Sequence, residues 1–234
     1  MDTIFYCPDI RTNPQMPEIE SQHCVRVLRM KEHDTLFITD GKGFFYRAQL
    51  LQASPKGCII TILDEIPQQK SWNFDLHIAF APTKNVDRME WFVEKATEVG
   101  IDTFTPLKCR YSERKNINST RLEKKIVSAM KQSQKSRLPQ LNEMVNFDDF
   151  IKQPFDGQKF IAHCYDSIKT PLTHTSKKNT NTLILIGPEG DFSEEEVAKA
   201  TKHNFVPISL GESRLRTETA ALIACHTIQV LNQL

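Results

Sequence analysis

The sequence predicts an α/β chain in two parts: a small β-rich unit over residues 1–70 and a larger strand–helix unit over residues 71–234. Three observations predict it. The first 70 residues break into short β-branched and aromatic runs separated by turn dipeptides. The polar stretch Pro67–Ser71 (PQQKS) interrupts that rhythm. Beyond it, apolar runs of strand length alternate with segments whose apolar residues recur at helical spacing, the pattern of a mainly parallel sheet. At 234 residues, with 39% hydrophobic and 25% charged residues, the chain can bury a core without disulfides or metal and has ordinary globular composition.

In chain order, Val25–Arg29, Thr35–Thr39, Phe44–Leu50 and Cys58–Leu63 read as strands, with turns at Asp40–Gly43 (DGKG) and Ser54–Gly57 (SPKG). Strands at this spacing make a small barrel. Asp75–Ala81 is the next strand. A helix follows over Asn85–Val99, with Val86, Met89, Phe92, Val93, Ala96 and Val99 on one face and Gly100 just past its end. Thr103–Leu107 is a short strand. Thr120–Glu123 (TRLE) has capping-box form and opens a helix through about Lys135, with Leu122, Ile126, Ala129 and Met130 on its apolar face. Lys159–His163, Thr182–Ile186 and Phe205–Leu210 are further strands. Ser193–Glu196 (SEEE) is a second capping box, for a helix to about His203, and a last helix runs from about Glu218 to Leu231.

Composition excludes several classes. The six cysteines form no C-x-x-C pair and no zinc spacing, and the seven histidines form no H-E-x-x-H, so reduced thiols and no metal are expected. No apolar run approaches a membrane span. The N-terminus has no basic segment followed by an apolar stretch, so a cytoplasmic protein is expected. Net charge is only +1, yet Lys108–Arg137 holds ten Lys/Arg against Glu113 and Glu123. Such a stripe is the footprint of a polyanion, or a solvated helix face.

Two loops follow apolar strands, where open α/β sheets hold ligands. Gly187–Asp191 (GPEGD) fits neither the dinucleotide nor the P-loop fingerprint. It suits a ligand read by backbone amides and carbonyls, such as an adenosine, or is a plain β–α turn. Gly211–Ala220 (GESRLRTETA) crowds Arg214, Arg216 and Glu218 at a helix start, where Thr217 can cap and Glu218 complements the dipole. An arginine there opposes the dipole, so it is either solvated or salt-bridged, or its charge is used by something else.

These segments resemble the ribosomal RNA small subunit methyltransferase E family of the SPOUT superfamily. The likeness runs through His23–Arg29 (HCVRVLR), Asp40–Gly41, Lys84 with Asp87–Trp91 (DRMEW), and Lys95–Gly100 (KATEVG). It continues through Gln132–Ser133 before Pro139, Ile186–Gly190 (IGPEG), and Leu210–Gly211 with Leu215–Ala220 (LRTETA). The last two segments, in this order, are its most specific part. The resemblance implies an N-terminal PUA-like β-barrel that binds RNA over 1–70. It implies a C-terminal SPOUT domain with a trefoil knot over 71–234, which holds S-adenosylmethionine (SAM), catalyses and dimerises. It also implies a homodimer that methylates N3 of a uridine in the 16S rRNA of the small ribosomal subunit.

Residue by residue, Gly187, Pro188, Glu189 and Gly190 match the first cofactor loop, and Leu210, Gly211, Leu215 and Arg216 the second. The chain departs from the family at Asp191, where a second glycine is usual, and at Glu212–Arg214, where Pro-Arg-Ile is usual. The arginine role therefore rests with Arg214 or Arg216, and Arg216 is taken as catalytic: it favours the uracil imide anion once N3 loses its proton. Glu189 or Glu218 would accept that proton. The target base has to be unpaired or flipped out. Arg26 and Arg29 of the barrel, on different faces of their strand, with Arg110, Arg114, Lys124, Lys125 and Lys131 of the stripe, are the expected RNA contacts. Alternative functions are methylation of another RNA base and a non-catalytic RNA-binding role in ribosome assembly.

Overall fold

The computed structural model describes residues 3–166 and 169–233. Contacts divide the chain into two compact units: Met1–Ser71 with Val127–Leu138, and Trp72–Ile126 with Pro139–Leu234.

The first unit starts with β1 (Ile4–Tyr6) and α1 (Glu18–Gln22), which runs on as a π-helical turn over His23–Val27. β2 (Thr35–Thr39), β3 (Phe44–Gln52) and β4 (Ile59–Pro67) follow. The sheet order is β1-β2-β3-β4, with β1 parallel to β2 and the rest antiparallel. The stretch after β1 extends the sheet beyond β4: the Ile60 amide donates to the Pro14 carbonyl at 3.0 Å. Phe5, Cys24, Ile38, Tyr46, Ala48 and Leu50 form its core. Tyr46 is buried, and its hydroxyl donates to Asp40 at 2.9 Å while accepting from Arg11 Nε at 2.7 Å.

Val25–Arg29, expected as a strand, is instead a π-helical turn through Val27, with Leu28 and Arg29 following it. The reason lies upstream. Glu20, Ser21 and Cys24 turn inward together, at helical spacing, while Val27 and Leu28 are exposed. Ser21 fixes this face, donating to the Met16 carbonyl and accepting the Cys58 amide at 2.9 Å. The β-branched residues of 25–29 suggest a strand only when read alone. The Val127–Leu138 segment completes the unit, with the Gly43 amide on the Ser136 carbonyl and the Leu138 amide on the Gly41 carbonyl, both at 2.9 Å. Lys131 meets Glu20 at 2.6 Å, and both side chains are largely buried.

The second unit runs β5 (Leu76–Phe80), α2 (Val86–Val99), β6 (Thr103–Lys108), α3 (Ser119–Gln132), β7 (Gln140–Leu141), β8 (Val145–Asn146) and α4 (Phe147–Phe150). It continues β9 (Gln158–Ala162), β10 (Thr170–Pro171), α5 (Leu172–Thr175), β11 (Thr182–Ile186), α6 (Glu194–Lys202), β12 (Val206–Ser209) and α7 (Thr217–Gln233). The last turns of α3, from Val127, belong to the first unit. The strand order is β10-β12-β9-β11-β5-β6-β7, with β8 also on β6, and the pairings among described residues are parallel. Every residue of β11 is buried, as a continuous apolar run in a parallel sheet requires. One core layer centres on Phe80, Phe92 and Phe104, whose rings meet edge-on at centroid distances of 5.2–6.5 Å. Another gathers Phe147, Phe150, Phe192 and Phe205.

The Ser193–Glu196 capping box forms as expected, with the Glu196 amide on Ser193 Oγ and the Ser193 amide on Glu196. The expected Thr120 cap does not. Asn118 accepts the Arg121 amide at 3.1 Å, so the cap lies two residues earlier. Thr217 likewise does not cap α7, which begins on the Arg216 carbonyl through a 2.8 Å bond from the Ala220 amide. β1, β7, β8, α4, β10 and α5 are too short to leave a periodic signal in the sequence.

His77, on β5, is half-buried beside Thr105 Oγ1 at 2.7 Å, and desolvation holds its pKa near 4 against 6.5 in a free histidine. The folded state therefore resists a proton that the unfolded state accepts. This contribution to stability is complete above about pH 6.5 and is lost as pH falls toward 4. The urea midpoint is expected to fall between pH 7 and pH 5, and to fall less in His77→Gln. Equal losses in both proteins would assign the acid sensitivity to other groups.

Candidate active site

Three neighbouring strands end level. Ala162, the last residue of β9, pairs laterally with Ile186 of β11 on one side and Ile208 of β12 on the other. The loops beginning at His163, Gly187 and Leu210 therefore leave the sheet at one edge, the carboxyl edge. They wall a cleft of about 540 Å³, within the range of small-molecule sites. Gly187, Pro188, Glu189, Leu210, Gly211, Leu215 and Arg216 line it, as do His163, Cys164, Lys169 and Asp191.

The first loop is held from several sides. The Asp191 amide donates to the Pro188 carbonyl at 2.9 Å, closing the turn. Gly190 is not in the cleft wall. A Cβ there would stand 3.1 Å from Tyr111 Cβ, so its glycine answers a close approach behind the loop. Asp191 sits at φ +66°, a left-handed conformation that accounts for the glycine usual in the family. Its carboxylate accepts the Phe192 amide at 2.8 Å and the Cys164 amide at 2.7 Å, tying the first loop to the end of β9. The Tyr165 hydroxyl repeats the tie on the Phe192 carbonyl at 2.6 Å.

The second loop turns at Gly211, with φ +129° and nothing within 4 Å of a Cβ placed there, so conformation and not space demands the glycine. Thr217 Oγ1 donates to the Gly187 carbonyl at 3.1 Å. This buried bond joins the two loops directly. Arg214 and Arg216 are both exposed and line the cleft. Glu218 lies outside the lining, buried and paired with Arg88 at 3.6 Å. Glu189 is exposed and accepts the Lys84 amide at 3.0 Å.

The basic residues are placed differently from one another. Arg26 and Arg29 are exposed on the first unit, Arg26 in the π-helical turn and Arg29 past it at φ +55°, not on one strand. Arg110 pairs with Glu195 at 2.5 Å, and Arg114 donates to the carbonyls of Thr83 and Lys84. Lys125 lies 3.9 Å from both Glu90 and Glu94, and Lys131 is held by Glu20. Lys124 is exposed and has no hydrogen-bond or ion-pair partner among the described residues. Sequence reasoning missed His163, Cys164 and Lys169; the signal available was the carboxyl end of a third apolar strand.

Among the described residues, no cluster of His, Cys, Asp and Glu could hold a metal, and no helix is long and apolar enough to cross a membrane. The cysteines are free, with Cys164 exposed and the others buried.

Residues 70–229 match the RNA methyltransferase domain family, and residues 20–63 match the RNA methyltransferase PUA domain family. Fold and cleft together thus define an RNA methyltransferase with a PUA-like unit ahead of a parallel α/β unit. Ribosomal RNA small subunit methyltransferase E from Buchnera aphidicola (Acyrthosiphon pisum) is 30% identical over 91% of this chain and 86% of its own length. The crystal structure of a probable rRNA-methyltransferase from Porphyromonas gingivalis is 40% identical, with a TM-score of 0.92 over 97% of this chain and 98% of that one. A candidate methyltransferase from Legionella pneumophila, solved with bound SAM, is 26% identical, with a TM-score of 0.88 over 98% of both chains. The chain belongs to the ribosomal RNA small subunit methyltransferase E family.

Proposed function

We propose that the chain methylates N3 of a uridine in the 16S rRNA of the small ribosomal subunit, with SAM as donor. The observation that carries this reading is the pair of loops joined by the Thr217–Gly187 bond around one cleft, in a member of this family. The cleft fits the cofactor: it has the volume, and a buried polar side chain in its wall, His163, has no hydrogen-bond partner. Gly187, Pro188, Glu189, Leu210, Gly211 and Leu215 would hold SAM, with Gly190 shaping the loop from behind. Bound SAM supplies an activated methyl on a sulfonium.

The protein's own work is orientation and charge. Holding the acceptor in line at contact distance lowers a barrier by about 7–11 kcal/mol. Uridine N3 is a poor nucleophile until its proton leaves. Arg216, exposed on the cleft wall, then stabilises the negative charge shared by the uracil carbonyls. Of Glu189 and Glu218, Glu189 lines the cleft and would accept the proton, since Glu218 is committed to Arg88 outside it. The first unit carries the RNA grip, through Arg26 and Arg29, and Lys124 adds a free cation. The second unit carries catalysis and the trefoil knot, and pairs with a second copy. Trp91 on α2 with Ile223 and Val230 on α7 are large exposed apolar residues suited to a homodimer in the cytoplasm.

Mass spectrometry of 16S rRNA from a strain lacking the gene tests this directly. One N3-methyluridine is expected to vanish and to return on complementation; an unchanged methylation map overturns the reading. For RNA binding, Lys124→Ala is expected to flatten the plot of log affinity against log salt by about 0.7, the counterion release of one phosphate contact on a single strand. An unchanged slope moves the phosphate grip elsewhere.

A further inference from the structure

His163 stands apart from the other buried polar groups. It is 8% exposed, lies at the carboxyl end of β9, lines the cleft, and both its ring nitrogens lack a hydrogen-bond partner. Unpaired carboxylate oxygens also occur on Glu20, Glu90 and Glu218, but each of those residues has a cation: Lys131, Arg121 and Arg88. His163 has none. A buried donor and acceptor left unmet are costly, and a native structure keeps such a pair where something else meets them.

The surroundings decide what could. Tyr165 lies beside the ring at 5.7 Å between centroids, with its hydroxyl committed to the Phe192 carbonyl. Lys169 Nζ is spent on the His163 and Tyr165 carbonyls at 3.1 and 2.6 Å. The Asp191 carboxylate is spent on the amides of Cys164 and Phe192. Burial and the Lys169 charge hold the imidazole pKa down, against a smaller opposing effect of Asp191. The ring thus offers one N–H and one bare nitrogen, which suits a neutral group that both donates and accepts. The χ2 torsion of histidine is soft, so the ring can turn toward an occupant at small cost.

We propose that His163 is a cofactor-binding residue whose imidazole hydrogen-bonds a hydroxyl or amine of the nucleoside part of the ligand held in the cleft. This rests on the methyl-donor reading above.

The full-length protein, labelled with ¹⁵N-histidine, is titrated with S-adenosylhomocysteine and separately with adenosine. Ligand binding is expected to move one set of imidazole nitrogen resonances, which is absent from His163→Leu. By calorimetry, His163→Leu weakens both ligands about tenfold, and His163→Asn, which keeps a donor and an acceptor, recovers part of the loss. The melting temperature of ligand-free His163→Leu stays level or rises, because the variant buries no unmet polar group; a merely structural histidine would lower it. Leucine and wild-type proteins binding S-adenosylhomocysteine within twofold of each other overturns the proposal. Loss for that ligand with adenosine unaffected overturns the nucleoside assignment. Wild-type protein that binds neither ligand nor SAM overturns the methyl-donor reading itself.

Discussion

Arg216→Ala is expected to lower the rate of rRNA methylation by at least about 100-fold, the usual loss of one preorganised charge-stabilising group. SAM affinity should stay within about tenfold, an allowance of about 1.4 kcal/mol. Two features of Arg216 make the experiment clean. Its side chain is exposed and has no hydrogen-bond or ion-pair partner among the described residues, so its removal leaves no buried group stranded. Its carbonyl, which starts α7 by accepting the Ala220 amide, is kept by alanine. Single-turnover methyl transfer and calorimetry read the two effects separately. Arg214 lines the same cleft, so Arg214→Ala is the necessary companion. Turnover surviving in the Arg216 variant and failing in the Arg214 variant would transfer the role by two residues.

Phe192→Ala is expected to cost about 3–5 kcal/mol of stability, as large buried aromatics do when truncated. Phe192 is fully buried, packs on Phe147 at 5.3 Å between centroids, and sits immediately after the left-handed Asp191. Its backbone is bonded from both sides, by the Asp191 carboxylate and the Tyr165 hydroxyl. The cavity therefore opens directly beneath the first loop. Chemical denaturation should register the stability loss, and calorimetry a weaker SAM affinity in the folded variant. A loss below about 1 kcal/mol would mean that the loop and its core layer repack freely.

The long periodic elements were legible in the sequence, for physical reasons that differ. β11 could be read residue for residue because four consecutive apolar positions, Leu183 to Ile186, leave no alternative face. α2 could be read because its apolar residues and its Gly100 terminus agree. The 23–29 region failed because its inward face is set by Glu20, Ser21 and Cys24, outside the β-branched run that draws attention. Residue type draws attention to Gly187, Gly211 and Arg216, and all three line the cleft. The site was not legible where the decisive fact is a long-range bond. Nothing in the sequence links Asp191 to Cys164, or Lys131 to Glu20, and the second pair removes one cation from a stripe that counting alone treats as uniform.

The return of Val127–Leu138 to the first unit has a bearing on how the molecule can be dissected. The backbone crosses between the units after Ser71, Ile126 and Leu138, not once. A recombinant fragment stopping at residue 71 forfeits the Ser136 carbonyl that receives the Gly43 amide and the lysine that neutralises Glu20. Severing the chain at the obvious seam therefore yields a β unit with an open flank and an unmatched buried anion.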